Sequence, residues 1–284
     1  MNRITGKTKL LGVIGDPIEH SLSPIMHNAA IAQMQIDFAY VPFRIRSSDL
    51  ETAIAGFNAI DLQGFSVTIP HKQAIMPLLS EITEVAKAIG AVNTVWKSNR
   101  GWSGTNTDIV GFVAPLKDRS WNQSIALILG NGGAARAVVA GCAELGFAEI
   151  HVVGRNAEKL QDFAKTWTLD SLSVHTWDQL CEILPQADLV VNTTPIGMSP
   201  HADQSPLTEE QAEQIRSTAI AYDLIYVPNP TRFLRQAQQR GAEAIDGLEM
   251  LVQQGAAALE IWTQQAVPDA VMRRSLQTHL GLGA

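Results

Sequence analysis

With 284 residues, 46% hydrophobic and 17% charged, the chain has the composition of an ordinary globular protein and the length for two domains. Its formal charge of −7 leaves no basic surface for a nucleic-acid backbone, and no apolar run approaches the length needed to span a membrane. The start, MNRITGKTKL, lacks the apolar core of a signal peptide, Cys142 and Cys181 stand at no metal-like spacing, and the seven histidines form no ligand pattern, so a cytoplasmic protein with reduced cysteines and no metal is expected.

Along the chain, short runs rich in Val and Ile alternate with helical patterns. Residues 10–14, 39–43, 65–69 and 91–96 read as strands, with helices over 24–35, 48–58 and 72–89 between them. A second series places strands at 125–129, 149–153, 189–192 and 219–224, again separated by helices. Such alternation predicts two open α/β domains, each a parallel sheet covered by helices on both faces. The first boundary falls near Asn106. The end of the chain is helical: Met250, Leu251, Ala258, Ile261 and Trp262 recur at helical spacing, and a short helix follows Pro268. Gln254 lies on that apolar face, where a polar group needs a partner.

The run IALILGNGGAARAVVAG joins a buried strand, a glycine turn and an Ala-rich helix, with Gly130, Gly132 and Ala135 fitting G-x-G-x-x-[GA]. The first glycine permits the turn, the second admits a pyrophosphate to the backbone, and the third small residue lets helix and strand lie close. Free N–H groups and the helix dipole then face the phosphates. This predicts a Rossmann domain. Its second strand, EIHVV, ends in Gly154, Arg155 and Asn156, with Lys159 nearby, where an NAD enzyme commonly carries an acid on the ribose. Arg155 suits a 2′-phosphate and an adenine face instead, which favours NADP.

Four stretches of the first half carry polar residues at strand ends or turns. Ser21 and Ser23 precede and adjoin Pro24; on spacing alone Ser23 reads as a helix N-cap, with a carboxylate held by both hydroxyls as the alternative. Lys72 follows the strand ending in Thr68-Ile69-Pro70-His71, where parallel sheets bind ligands. Asn93 and Asp108 sit in turn-like settings that by themselves point to backbone duty.

Taken together, GDPIEHSLSPIMHN, VTIPHK, GAVNT, GTNTD, GNGGAAR, DLIYVPNPT and DGLEMLVQQGA resemble shikimate dehydrogenases in order and spacing, over residues 11–262. The resemblance implies reduction of 3-dehydroshikimate to shikimate with NADPH, on the route to aromatic amino acids. It implies Lys72 and Asp108 as the catalytic pair and Ser21 and Ser23 on the substrate carboxylate. Thr68, Asn93, Asp108 and Gln254 would hold ring hydroxyls, with Tyr226 beside substrate or nicotinamide. On the cofactor side it implies Gly130, Asn131, Gly132, Gly133, Ala134, Gly154, Arg155, Asn156, Lys159, Leu224 and Gly247, with Glu84 near the nicotinamide end. Gln254 returns the C-terminal helices to the first domain, so the domains become 1–106 plus 244–284 for substrate and 107–243 for NADP, with a cleft closing on ligand. Three positions depart from the family pattern: Ser66 stands where Asn is common, Gly154 and Asn156 replace the usual residues beside Arg155, and His71 is given no role. The nearest rival is a quinate/shikimate dehydrogenase using NAD; a noncatalytic sensor is disfavoured by the presence of both Lys72 and Asp108. Monomer and homodimer both remain open.

Overall fold

Two six-stranded sheets organise residues 4–282, those described in the computed structural model. Each has its own unit: Met1–Gly111 with Leu251–Ala284 holds the first, and Phe112–Met250 the second.

The first sheet contains β1 (Lys9–Gly15), β2 (Phe38–Arg44), β3 (Gly64–Val67), β4 (Glu81–Ile82), β5 (Thr94–Ser98) and β6 (Gly101–Thr105), in the order β2-β1-β3-β5-β6-β4. β1 pairs in parallel with β2 and β3, as expected, but β5 is antiparallel to both β3 and β6. The sheet is therefore mixed rather than wholly parallel. The cause is a tight connection in which Ser98 pairs with Gly101 and Gly101 takes a φ of 120°, a conformation that glycine adopts without strain. The helix expected over 72–89 is also broken. His71–Ala74 is helical, Met76–Leu78 is a 3-10 turn, β4 follows, and a new helix runs over Glu84–Ile89. Pro77 has no N–H to continue the first helix, and Thr83 restarts the second by accepting from the Ala86 N–H.

The long C-terminal helix lays Trp262 across this sheet, its indole N–H donating to the Val95 carbonyl at 2.9 Å. A Cβ at Gly64 would run into that indole, which explains a glycine inside a buried strand. The final helix, Asp269–Leu280, packs on Ser23–Met34.

The second sheet contains β7 (Ile125–Leu129), β8 (Glu149–Gly154), β9 (Leu172–Thr176), β10 (Leu189–Asn192), β11 (Ile220–Asp223) and β12 (Glu243–Ile245). Every pairing is parallel, in the order β12-β11-β10-β7-β8-β9, which is the doubly wound Rossmann arrangement with its switch point between β7 and β10. Consecutive residues feed opposite layers: Ile128, Val152 and Val191 join one apolar cluster, while Leu127, Leu129, Val153 and Val190 join the other. Both faces are covered, so the strands read as unbroken apolar runs. β9 and β12 escaped the sequence reading because they are the sheet's edges, one half-exposed and the other three residues long.

The expected domain limits shift accordingly. Asp108 lies with the first unit, because Asn93 and Asn106 hold it there, and β12 belongs to the second, because it pairs with β11. Among the described residues, no helix is long and apolar enough to cross a membrane.

Candidate active site

The mixed topology of the first sheet is what assembles its polar group. Lys72 follows the carboxyl end of β3. Because β5 runs antiparallel to β3, the residue entering it, Asn93, lies at that same end, and Val67 donates to the Asn93 carbonyl at 2.7 Å. β6 then runs back, so Asp108, just beyond it, arrives there too. The Lys72 ammonium donates to Asp108 Oδ2 at 2.5 Å, and Asn93 Nδ2 donates to Asp108 Oδ1 at 2.7 Å. The Asp108 N–H donates to Asn106 Oδ1 at 2.9 Å, and Asn106 is tied to the Ala91 carbonyl. Asn93 Oδ1 also accepts from the Thr107 N–H and the Thr94 hydroxyl. Asp108 is buried and Lys72 nearly so, with side-chain exposures of 8% and 19%. The carboxylate is thus held on both oxygens and its backbone is pinned by Asn106, and the ammonium is the one member of the group that reaches partly toward solvent.

Gln254 joins this group. Its Oε1 accepts from Asn93 Nδ2 at 3.5 Å and its amide donates to the Leu251 carbonyl. The lone polar residue on the helix face has its partner. Ser21, Ser23 and Thr68 lie on the same unit, at the ends of β1 and β3, without a hydrogen bond to the group among the described residues. Ser23 is not the N-cap expected: the helix begins at Ser23 itself, Leu22 precedes it, and the Ser23 N–H points to Ser21 Oγ at 3.4 Å. The Ile25 and Met26 N–H groups, which a cap at Ser23 would serve, donate to the Leu22 carbonyl instead. The Ser23 hydroxyl instead meets the Tyr40 phenol, which also donates to Ser66 Oγ at 2.9 Å. Burial pushes that phenol well above the ordinary tyrosine range, so it stays a donor. Ser66, the departure from the family pattern, is therefore engaged within the protein. His27 stacks on Tyr40 at 4.1 Å, and burial pushes its pKa down to about 3, which keeps it neutral. Glu84 takes no part in this group: it is exposed in the first turn of its helix and pairs with Lys87 at 2.7 Å.

In the second unit a groove opens along the carboxyl ends of β7 to β10. Gly130, Asn131 and Gly132 form its floor, Gly154, Arg155 and Ala157 one end, and residues 176–178 and 193–196 its remaining walls, with Pro206. Gly130 has φ 107°, and a Cβ there would sit 2.8 Å from Thr193 Oγ1. The helix Gly133–Leu145 starts behind the turn with no side-chain cap, so its first N–H groups face the groove unclaimed by protein side chains. A Cβ at Gly132 would meet nothing within 4 Å, so the approach to those amides is open. This cradle fits a pyrophosphate.

Of the expected cofactor residues, Gly130, Asn131, Gly132, Gly154 and Arg155 line the groove, and Gly133 and Ala134 begin the helix behind it. Gly154 makes room for Asn131, whose carboxamide would lie 3.2 Å from a Cβ there. The Asn156 side-chain oxygen caps the helix Ala157–Lys165 by accepting from the Lys159 N–H at 2.9 Å. Lys159, Leu224, Tyr226 and Gly247 do not line the groove; Gly247 packs against the Leu224 carbonyl so closely that no side chain fits. Sequence reasoning missed the walls at Thr176, Trp177, Asp178 and Thr193 to Ile196. A signal existed for the second of these, since residues after β10 stand at the switch point where open sheets bind ligands.

A Rossmann unit with a pyrophosphate cradle, joined to a unit carrying a buried lysine–aspartate pair, defines the class as an α/β oxidoreductase working with a dinucleotide. Residues 13–95 match the model of the shikimate dehydrogenase substrate-binding domain, 113–251 that of shikimate/quinate 5-dehydrogenase, and 247–277 that of the shikimate 5′-dehydrogenase C-terminal domain. The shikimate dehydrogenase (NADP(+)) of Trichormus variabilis is 64% identical over 98% of this chain and 99% of its own length. A crystal structure of a shikimate dehydrogenase with NADP+ superposes with a TM-score of 0.90 at 36% identity, covering 98% of each chain. That of the Thermus thermophilus enzyme with NADP(H) and shikimate gives 0.85 at 32%, covering 95% of this chain and 99% of that one. The chain belongs to the shikimate dehydrogenase family.

Proposed function

We propose that this chain catalyses the reversible NADPH-dependent reduction of 3-dehydroshikimate to shikimate, in the cytoplasm, for aromatic amino-acid biosynthesis. The observation that carries the reading is the Lys72–Asp108 pair, buried and cross-braced by Asn93. NADPH held in the groove would supply the hydride. As charge grows on the C3 oxygen of the substrate, the Lys72 ammonium stabilises it and donates the proton; in the reverse direction the neutral amine takes it back. Asp108 orients Lys72 and accepts from the same hydroxyl. In this reading Asn93, Gln254 and Thr68 bond ring hydroxyls, while Ser21 and Ser23 take the carboxylate. In the groove, the amides after Gly130 hold the pyrophosphate and Arg155 the 2′-phosphate.

The net charge of −7 argues against a nucleic-acid partner and leaves a small-molecule substrate bound by local groups. An assay at 340 nm that crosses shikimate and quinate with NADP and NAD tests the reading. Shikimate with NADP is the expected fastest pair; faster turnover of quinate with NAD overturns the assignment.

A further inference from the structure

Behind the groove lies a buried polar network that the proposed chemistry does not use. Asp223, at the end of β11, is fully buried, as are Asn192 and Thr231. Its Oδ1 accepts from Asn192 Nδ2 at 3.0 Å and from the Ile225 N–H at 3.0 Å, and its Oδ2 accepts from the Thr231 hydroxyl at 2.7 Å. Asn192 passes the order on. Its Oδ1 accepts from both the N–H (3.0 Å) and the hydroxyl (2.7 Å) of Thr194, and its Nδ2 also donates to the Ile196 carbonyl at 3.1 Å. Thr194 and Ile196 are walls of the groove, and the Thr194 methyl lies 3.0 Å from where a Gly130 Cβ would be.

The chemistry of these groups makes the arrangement directional. An asparagine amide alone can rotate by half a turn and exchange its donor and acceptor ends. With a carboxylate oxygen against Nδ2, the flipped state would set two acceptors against each other in a site closed to water. Asp223 therefore locks Asn192 with its carbonyl oxygen toward Thr194. We propose that Asp223 is a positioning residue for the cofactor: acting through Asn192, it holds the segment 193–196 in the shape that closes the groove over the glycine turn. It touches nothing in the groove itself. The proposal rests on the reading of the groove as the NADP site.

The test measures NADP affinity by titration calorimetry and the two KM values by steady-state assay. Asp223→Ala is expected to weaken NADP binding at least about tenfold, the scale of losing a charged acceptor from buried donors, while the shikimate KM stays within about twofold. Asp223→Asn, whose amide oxygen still accepts from Asn192 and Ile225, is expected to recover NADP affinity to within about threefold of the parent. A folded Asp223→Ala protein with parental NADP affinity sinks the proposal, as does a shikimate KM rising in step with that for NADP. Should Asp223→Ala fail to fold, Thr231→Val and Thr231→Ser decide: the valine, which lies outside the groove lining, is expected to weaken NADP about threefold and the serine not at all. Equal affinities in that pair count against the idea. Gly132→Asp, which puts a carboxylate into the cradle, tests the underlying reading separately. If it leaves NADP binding intact, the groove is not the cofactor site; if it abolishes binding while the Asp223 and Thr231 variants bind normally, only the positioning role fails.

Discussion

The two sites are built from opposite materials. In the first unit the working groups are side chains that already bond one another: Lys72 to Asp108, Asp108 to Asn93, Asn93 to Gln254. In the second they are mostly backbone: a turn at Gly130, an uncapped helix start at Gly133, and walls whose positions depend on Asn192. Side-chain sites of the first kind fail by losing one atom of chemistry, whereas backbone sites fail by losing shape. The largest test of this difference is Lys72→Ala. It should lower kcat at least about 100-fold, the usual weight of a positioned acid–base group, with NADP affinity unchanged by calorimetry. A variant with the parental kcat removes lysine from the mechanism and with it the contrast.

Two glycines sharpen the second half of the comparison. Gly130→Ala forces a φ of 107° on a residue with a Cβ and drives that atom toward Thr193, so the protein should lose about 2 kcal/mol of stability in denaturant melts along with cofactor binding. Gly132→Ala has an ordinary negative φ of −85° and open space around the new methyl. It should melt like the parent yet bind NADP several-fold more weakly, because the methyl stands between ligand and amides. If both variants melt alike, the turn is not the shape-determining element. Arg155→Ala is the smaller effect and the one side-chain term in the groove. It should raise the NADP KM about tenfold and leave that for NAD nearly unchanged, the signature of a lost charged bond to the 2′-phosphate. Equal effects on the two cofactors would move NADP selection elsewhere in the groove, with the Thr176 hydroxyl next in line.

The same contrast explains what the sequence made legible. A backbone site has a local signature, because strand, glycine turn and helix must follow in direct succession, and Gly130, Gly132 and Ala135 could be placed from their own neighbours. The lysine–aspartate pair has none. Lys72 and Asp108 are brought together by an antiparallel hairpin whose connection, Ser98 to Gly101, lacks the Asn-Gly or Asp-Gly signal of a tight turn; only the family resemblance assembled them. Gln254 was legible as an anomaly, a polar residue on an apolar face, though its partner was not. Asn156 shows the reverse: a residue counted toward the cofactor also caps a helix through its side-chain oxygen, a duty its neighbours did not announce. The network at Asp223 was invisible because its members are spread over two strand ends and one helix cap, each bland in isolation.

The smallest expected effect reaches that network through stability rather than catalysis. Burial pushes the Asp223 pKa up from 3.8 to about 6; the bonds from Thr231, Ile225 and Asn192 oppose the rise, and the charge of Asp246 adds to it. A carboxyl whose pKa is higher in the folded state than in the unfolded chain binds its proton more tightly when folded. Its stabilising contribution is therefore complete below pH 3.8 and disappears as the pH climbs through about 6. Between pH 5 and 7 this amounts to roughly 1 kcal/mol, so unfolding free energies in urea should fall by that much over the interval from this group alone. Asp223→Asn cannot titrate and should show a correspondingly flatter profile, with the two proteins diverging most steeply between pH 3.8 and about 6. Parallel profiles would mean that the bonds from Asn192, Ile225 and Thr231 already compensate the buried charge in full. The carboxylate would then hold its donors without cost, and the second site would be as firmly prearranged as the first.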